Sequence, residues 1–226
     1  LTRSSAASDV YKRQLLSDSF FAELCTPIVF GDEEVLRRCA EHTKKPSDFT
    51  GMDRDNLESA TGPCVLDLGL MDTNQLKPGA ISPVCGRATF GYVTEAIDAC
   101  LSGQIDAVTT CPANKEALQS AGVPHPGHTE IFAERTQTEK FCMAFLSDKI
   151  NCSLVTVHAG YEQVPGLLNE RRIAEVIELT RETHKKLLGK EPRIAVLGLN
   201  PHAGENGMFG NREEERIIQP AIDAMR

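Results

Sequence analysis

The chain has 226 residues, 41% of them hydrophobic and 25% charged, a globular composition with enough length for one large core or two small ones. Lys and Arg total 24 against 32 Asp and Glu, a net charge of −8 with no long basic run, which argues against an electrostatic grip on nucleic acid or an anionic membrane. No apolar run approaches the roughly 18 residues of a membrane helix, and the N-terminus lacks the order of a secretory signal, so a cytoplasmic location is expected.

In chain order, residues 1–14 (LTRSSAASDVYKRQ) are polar and aperiodic and read as a non-native or disordered leader outside the fold. Pro27 to Phe30 (PIVF) has strand character. Residues 44–83 are rich in Gly, Pro, Asp and Asn and are expected to form loops with one or two short strands. Val93, Ala96, Ile97, Cys100 and Leu101 mark one face of a helix that Gly103 ends. Ala107 to Thr109 reads as a strand, as do Leu154 to Val157 and Ile194 to Leu199, and together with Pro27 to Phe30 they suggest central parallel strands. Ile173, Val176, Ile177, Thr180, Leu187 and Leu188 trace a second helix closed by Gly189, and Ile217, Ile218, Ala221, Ile222 and Met225 a third. Glu213, Glu214 and Glu215 suit the positive N-terminal end of that third helix. Strands alternating with helices predict an α/β fold. The expected division is a first α/β domain within 15–110 and a second over 111–226 carrying the functional motifs.

The eight cysteines (25, 39, 64, 85, 100, 111, 142 and 152) include no C-x-x-C pair, which argues for reduced thiols over a zinc site or disulfide scaffold. In an open α/β sheet ligands bind beyond the carboxyl ends of the strands, and the unusual residues gather there. His158 and His202 occupy equivalent positions after expected strands, where neutral imidazoles make good ligands for a divalent metal. The plainer alternative is a pair of loop histidines bonded to nearby backbone. In Gly127-His128-Thr129-Glu130, after the turn Val123-Pro124-His125-Pro126, Thr129 suits a helix N-cap; the same helix start would offer backbone N–H groups to a phosphate, with His128 as a further donor. Lys115, in a loop restrained by Pro112, would serve as phosphate ligand or proton acceptor, or is simply solvated. Cys111 has no histidine near it in sequence and reads as a small buried thiol. The loop Gly204 to Gly210 (GENGMFG) is neither a P-loop nor a G-x-G-x-x-G fingerprint, so any nicotinamide cofactor would bind outside the Rossmann scheme.

In combination, TTCPANKEAL, PHPGHTEIFAERT, TVHAGY and LNPHAGENGMFGNREEERIIQPAI, in that order, resemble the 4-hydroxythreonine-4-phosphate dehydrogenase family of pyridoxal phosphate biosynthesis. The likeness runs from about Leu15 to Arg226 and is densest after Gly103. The resemblance implies a homodimeric, two-domain α/β/α fold like isocitrate and isopropylmalate dehydrogenases, incomplete in this chain, with the site in the cleft. It implies a divalent metal (Zn, Mg, Mn or Co) on His158 and His202, substrate contacts from His128 and Thr129, and a catalytic-loop lysine at Lys115. Family members also carry an opening glycine-rich segment and a further C-terminal part with a third histidine ligand; neither is found here, so this piece alone is expected to lack a complete site. The implied chemistry is oxidation by NAD (or NADP) of a small phosphorylated hydroxy acid, 4-phosphohydroxy-L-threonine, and decarboxylation to 3-amino-2-oxopropyl phosphate. The alternatives are a paralogue acting on a phosphorylated threonate-like acid or cyclic diol carboxylate, an inactive fragment, and a metal-dependent hydrolase or phosphate-binding module.

Overall fold

The computed structural model describes residues 4–45, 49–125 and 127–226, so Pro126 of the motif around His128 lies outside the described residues. The chain divides into two compact units, residues 1–138 and 139–226.

The first unit is built on a three-stranded parallel sheet. Helices α1 (Ser4–Leu16) and α2 (Ser19–Leu24) precede β1 (Ile28–Gly31), and α3 (Glu33–Thr43) leads to β2 (Thr50–Met52) and β3 (Cys64–Asp67). The order is β1-β3-β2, with Ile28 beside Cys64 and Thr50 also beside Cys64. Strand β3, flanked on both sides, contributes the buried Val65 and Leu66, as expected of a central parallel strand. Leu16, Val29, Leu36, Phe49 and Val65 form one core cluster, and Leu57, Leu66 and Ala99 another. The buried Asp32 carboxylate, after β1, accepts the backbone N–H groups of Leu70 and Met71. It thereby ties the end of β1 to the loop after β3.

Helix α4 (Pro83–Leu101) packs against this sheet and supports two short helices, α5 (Lys115–Ser120) and α6 (His128–Arg135). Gly86 permits the α4–α5 approach, because a Cβ there would run into the Ala117 backbone carbonyl and lie 2.9 Å from Ala121 Cβ. Asp98 on α4 pairs with Arg135 at the end of α6.

The second unit has a two-stranded antiparallel ribbon, β4 (Met143–Phe145) with β5 (Cys152–Leu154), then α7 (Val164–Leu167) and the long α8 (Glu170–Leu188). Asn169 caps α8 by accepting the Arg172 N–H at 2.9 Å, and Gly189 ends it at φ +66°, the left-handed position glycine tolerates best. A π-helical turn, Glu214–Ile218, runs into α9 (Gln219–Ala224). Ile173, Ile218 and Ala221 make the core here, with Val155, Val196 and Leu199 packed on it.

Several expectations need correction. Residues 1–14 are not an unstructured leader throughout: α1 begins at Ser4, and Leu16 at its end lies in the core. The division falls at 138/139 rather than 110/111, because α5 and α6 pack on α4 and stay with the first unit. Among the described residues, 107–109 and 194–199 belong to neither sheet, and 155–157 lie past the end of β5. An apolar run becomes a strand only beside a partner that takes its N–H and C=O groups. Among the described residues, of the four expected parallel strands only the first is found in the parallel sheet. The second helix stripe holds at Ile173 and Val176, but Leu187 and Leu188 are exposed.

Candidate functional site

The residues singled out from sequence fall in both units, and each unit presents its own by a different device. In the first unit the device is the helix start. Asn114 caps α5, its Oδ1 accepting the Ala117 N–H at 2.8 Å, which fixes Lys115 as the first helical residue. Helix α6 starts at His128 with the buried Gly127 as N-cap and no side chain capping it. Thr129 is therefore not the cap; it is an exposed residue of the first turn. A helix start without a side-chain cap leaves backbone N–H groups available to an anion.

The same turn brings Lys115 and His128 together. A Cβ on Gly127 would sit 3.6 Å from Lys115 Cε, so the lysine stem runs past the helix start. Burial, and then the neighbouring Lys115 ammonium, hold the His128 imidazole below its ordinary value and favour its neutral form. His128 also lines a cavity of about 400 Å³ with Asn114, Cys111 and Thr109. Tyr92 lines it too, its phenol pushed up by burial and by the Asp32 carboxylate it hydrogen-bonds. Behind α6, His125 stacks on Phe90 with centroids 6.3 Å apart and pairs with Glu134. His125 is thus a support for the helix and not part of the cavity wall.

In the second unit the device is a left-handed turn. His158 follows the ribbon at φ +54° and is exposed. Arg172 on α8 fixes the approach to it, donating to the Val155 carbonyl at 3.3 Å and the Phe141 carbonyl at 2.9 Å. His202 is exposed at φ +52°, and Ala203, Gly204, Glu205 and Asn206 continue in the left-handed region. Each non-glycine residue there costs about 1–2 kcal/mol, so the surroundings must hold the turn. The described surroundings do so through glycines and carboxylates. At Gly204 (φ +79°) a Cβ would lie 2.8 Å from Glu214 Oε2, at Gly207 (φ +91°) 2.7 Å from Arg212 Nε, and at Gly210 (φ +73°) 2.5 Å from Glu213 Oε2. Glu214 Oε1 accepts the N–H groups of Leu199 and Asn200. Glu213 accepts the Asn211 N–H and the Asn200 side-chain amide, and these hydrogen bonds, the Asn211 one foremost, hold its carboxyl below the usual range. The His202 ring lies 6.3 Å from that of Phe209, centroid to centroid.

Lys115, His128, His158 and His202 stand out by their place in the sequence, whereas Gly86, Arg172, Asn200 and the loop-holding role of Glu213 and Glu214 emerge only in the fold. The three-residue spacing of Gly204, Gly207 and Gly210 ahead of paired glutamates was the available signal. Two imidazoles after chain turns suit a divalent metal by donor chemistry, while among the described residues no group of three or more His, Cys, Asp or Glu side chains is arranged to hold one. By donor chemistry alone, His158 and His202 are candidates for part of such a set. Among the described residues no helix is long and apolar enough to cross a membrane.

Residues 23–226 match the family described as pyridoxal phosphate biosynthetic protein PdxA. A relative from Desulforapulum autotrophicum named 4-hydroxythreonine-4-phosphate dehydrogenase is 38% identical over 93% of this chain and 63% of its own length. One from Cupriavidus necator named D-threonate 4-phosphate dehydrogenase is 37% identical over 96% of this chain and 66% of its own. The crystal structure of a 4-hydroxythreonine-4-phosphate dehydrogenase from Klebsiella pneumoniae superposes with a TM-score of 0.82 at 33% identity, covering 99% of this chain and 69% of that one. The chain thus spans less than two thirds of the length of these curated relatives.

Proposed function

The chain belongs to the pyridoxal phosphate biosynthetic protein PdxA family, and from that premise we propose that its protein oxidises 4-phosphohydroxy-L-threonine with NAD (or NADP) and releases the carboxylate as carbon dioxide. The observation that carries the reading is the Lys115–His128 pair at the open start of α6, beside the cavity. A lysine ammonium, an imidazole and helix N–H groups together suit a terminal phosphate. An arriving phosphate would draw a proton onto His128, turning a neutral acceptor into a second cation. Lys115 is proposed as the catalytic-loop lysine and Thr129 as a further substrate contact.

His158 and His202 would hold a divalent metal, Zn, Mg, Mn or Co, in company with donors beyond these two. When bound, the metal supplies Lewis acidity at the hydroxyl oxygen that is oxidised. The chain's own part is to carry the two imidazoles on short left-handed turns. The finer fold type, that of isocitrate and isopropylmalate dehydrogenases, and assembly as a homodimer in the cytoplasm belong to the same proposal.

The relatives named for D-threonate 4-phosphate favour a second reading, the same oxidation on a phosphorylated threonate. Both substrates present a secondary hydroxyl and a phosphate, so Lys115 and His128 serve either. The test is NAD reduction followed at the nicotinamide absorbance, with each acid, in the protein extended to the length of its relatives. Faster turnover of 4-phosphohydroxy-L-threonine, abolished by a chelator, is expected. Preference for the threonate would select the second reading, and activity untouched by chelation would remove the metal from both.

A further inference from the structure

We propose that Glu214, with Glu213 beside it, is a positioning residue that fixes the turn carrying His202 and so sets the direction in which that imidazole is presented. The proposal rests on the reading of His202 as a metal ligand. Glu214 Oε1 accepts the backbone N–H of Leu199 at 2.9 Å and of Asn200 at 2.7 Å. The Asn200 side-chain amide donates to both Glu214 oxygens, at 3.3 and 3.2 Å, and to Glu213 Oε2 at 3.0 Å. Glu213 Oε2 also takes the Asn211 N–H at 2.8 Å.

Both ends of the loop therefore converge on two adjacent carboxylates. Asn200 lies two residues before His202, and its backbone and side chain are held together. The Glu214 carboxylate also occupies the inside of the turn, since a Cβ on Gly198 or Gly204 would approach it to 3.3 or 2.8 Å. Only a carboxylate offers acceptors on both oxygens to these three amide donors, the Leu199 and Asn200 N–H groups and the Asn200 side chain. A glutamine would turn an NH2 toward the Asn200 NH2, and an alanine would leave two backbone donors without an acceptor. With the clamp gone, His202 through Asn206 lose what holds them at positive φ.

Helix capping alone would account for a stable Glu214 but not for an effect on metal affinity confined to His202. The experiment measures zinc affinity and amide hydrogen exchange over residues 198–211 in the protein extended to the length of its relatives and in its Glu214→Ala, Glu214→Gln, His202→Ala and Glu214→Ala/His202→Ala variants. Glu214→Ala is expected to speed exchange at 199–200 and weaken zinc about tenfold or more, with Glu214→Gln between it and the parent. His202→Ala should weaken zinc while leaving exchange at 199–200 protected, and the double variant should bind no more weakly than His202→Ala. Parent-like exchange in Glu214→Ala, or faster exchange with parent-like zinc affinity, overturns the positioning role while the metal reading stands. If His202→Ala keeps parent affinity, the metal reading falls and takes the proposal with it. Glu214→Gln carries the same decision should Glu214→Ala fail to fold.

Discussion

The helix start at Lys115 and His128 and the left-handed turn at His202 present chemistry by opposite means. At the first, regular secondary structure aims the groups: Asn114 caps α5, Gly127 opens α6, and α4 carries both. At the second, irregular backbone is forced into a costly conformation and held by glycines and two glutamates. A helix-borne site inherits its stability from packing, whereas a turn-borne site depends on a few specific hydrogen bonds. Substitutions should therefore disturb the first through helix packing and the second through local geometry.

The largest effect is expected at Gly86→Ala. The added methyl meets the Ala117 backbone carbonyl, which no rotamer change relieves, so a loss of about 3 kcal/mol is expected. Chemical denaturation read on the first unit checks this, and an unchanged midpoint would mean that α5 does not sit on Gly86. Gly210→Ala should follow, costing about 2 kcal/mol through its φ of +73° and its closeness to Glu213 Oε2. Its signature is faster hydrogen exchange confined to residues 198–211. Next comes Asn114→Ala, which removes the α5 cap and should cost about 1 kcal/mol, together with weaker phosphate protection of Lys115 from acylation.

The mildest effect is on pH dependence. Because His128 is held below its ordinary value of 6.5, the unfolded chain takes up this proton before the folded one does. Its contribution to stability is complete above 6.5 and is lost as pH falls through that value toward the folded one. His128→Gln should flatten that part of the stability profile of the first unit, measured by thermal melts across pH 5–8. An unaltered profile would place the imidazole in water.

The same contrast governs what could be read from the sequence. Helices α4 and α8 were legible because 3.6-residue periodicity and terminal glycines are local signals, and β1 because its apolar run is paired by β3. Residues 194–199 looked equally strand-like, yet strand formation depends on a neighbour, and here Val196 and Leu199 pack inward while Leu197 stays 83% exposed. β2 and β3 fall in the stretch 44–83 expected to hold one or two short strands, but their bounds were not legible because their pairing partners lie elsewhere in the sequence. For the site, individual residue types were visible, but Thr129 as cap was overtaken by Gly127. The clamp of Glu213 and Glu214 on Asn200 was read as charge at a helix end because its hydrogen bonds reach back across a whole loop, a contact that the glycine spacing hints at but does not specify.

The most direct test of the proposed metal role is a cobalt(II) titration of the protein extended to the length of its relatives, followed by visible absorption, beside His158→Ala and His202→Ala. The account predicts one saturable cobalt site with imidazole-type absorption that either substitution weakens strongly. A spectrum and affinity unaffected by both substitutions would show that these two histidines do not hold the metal.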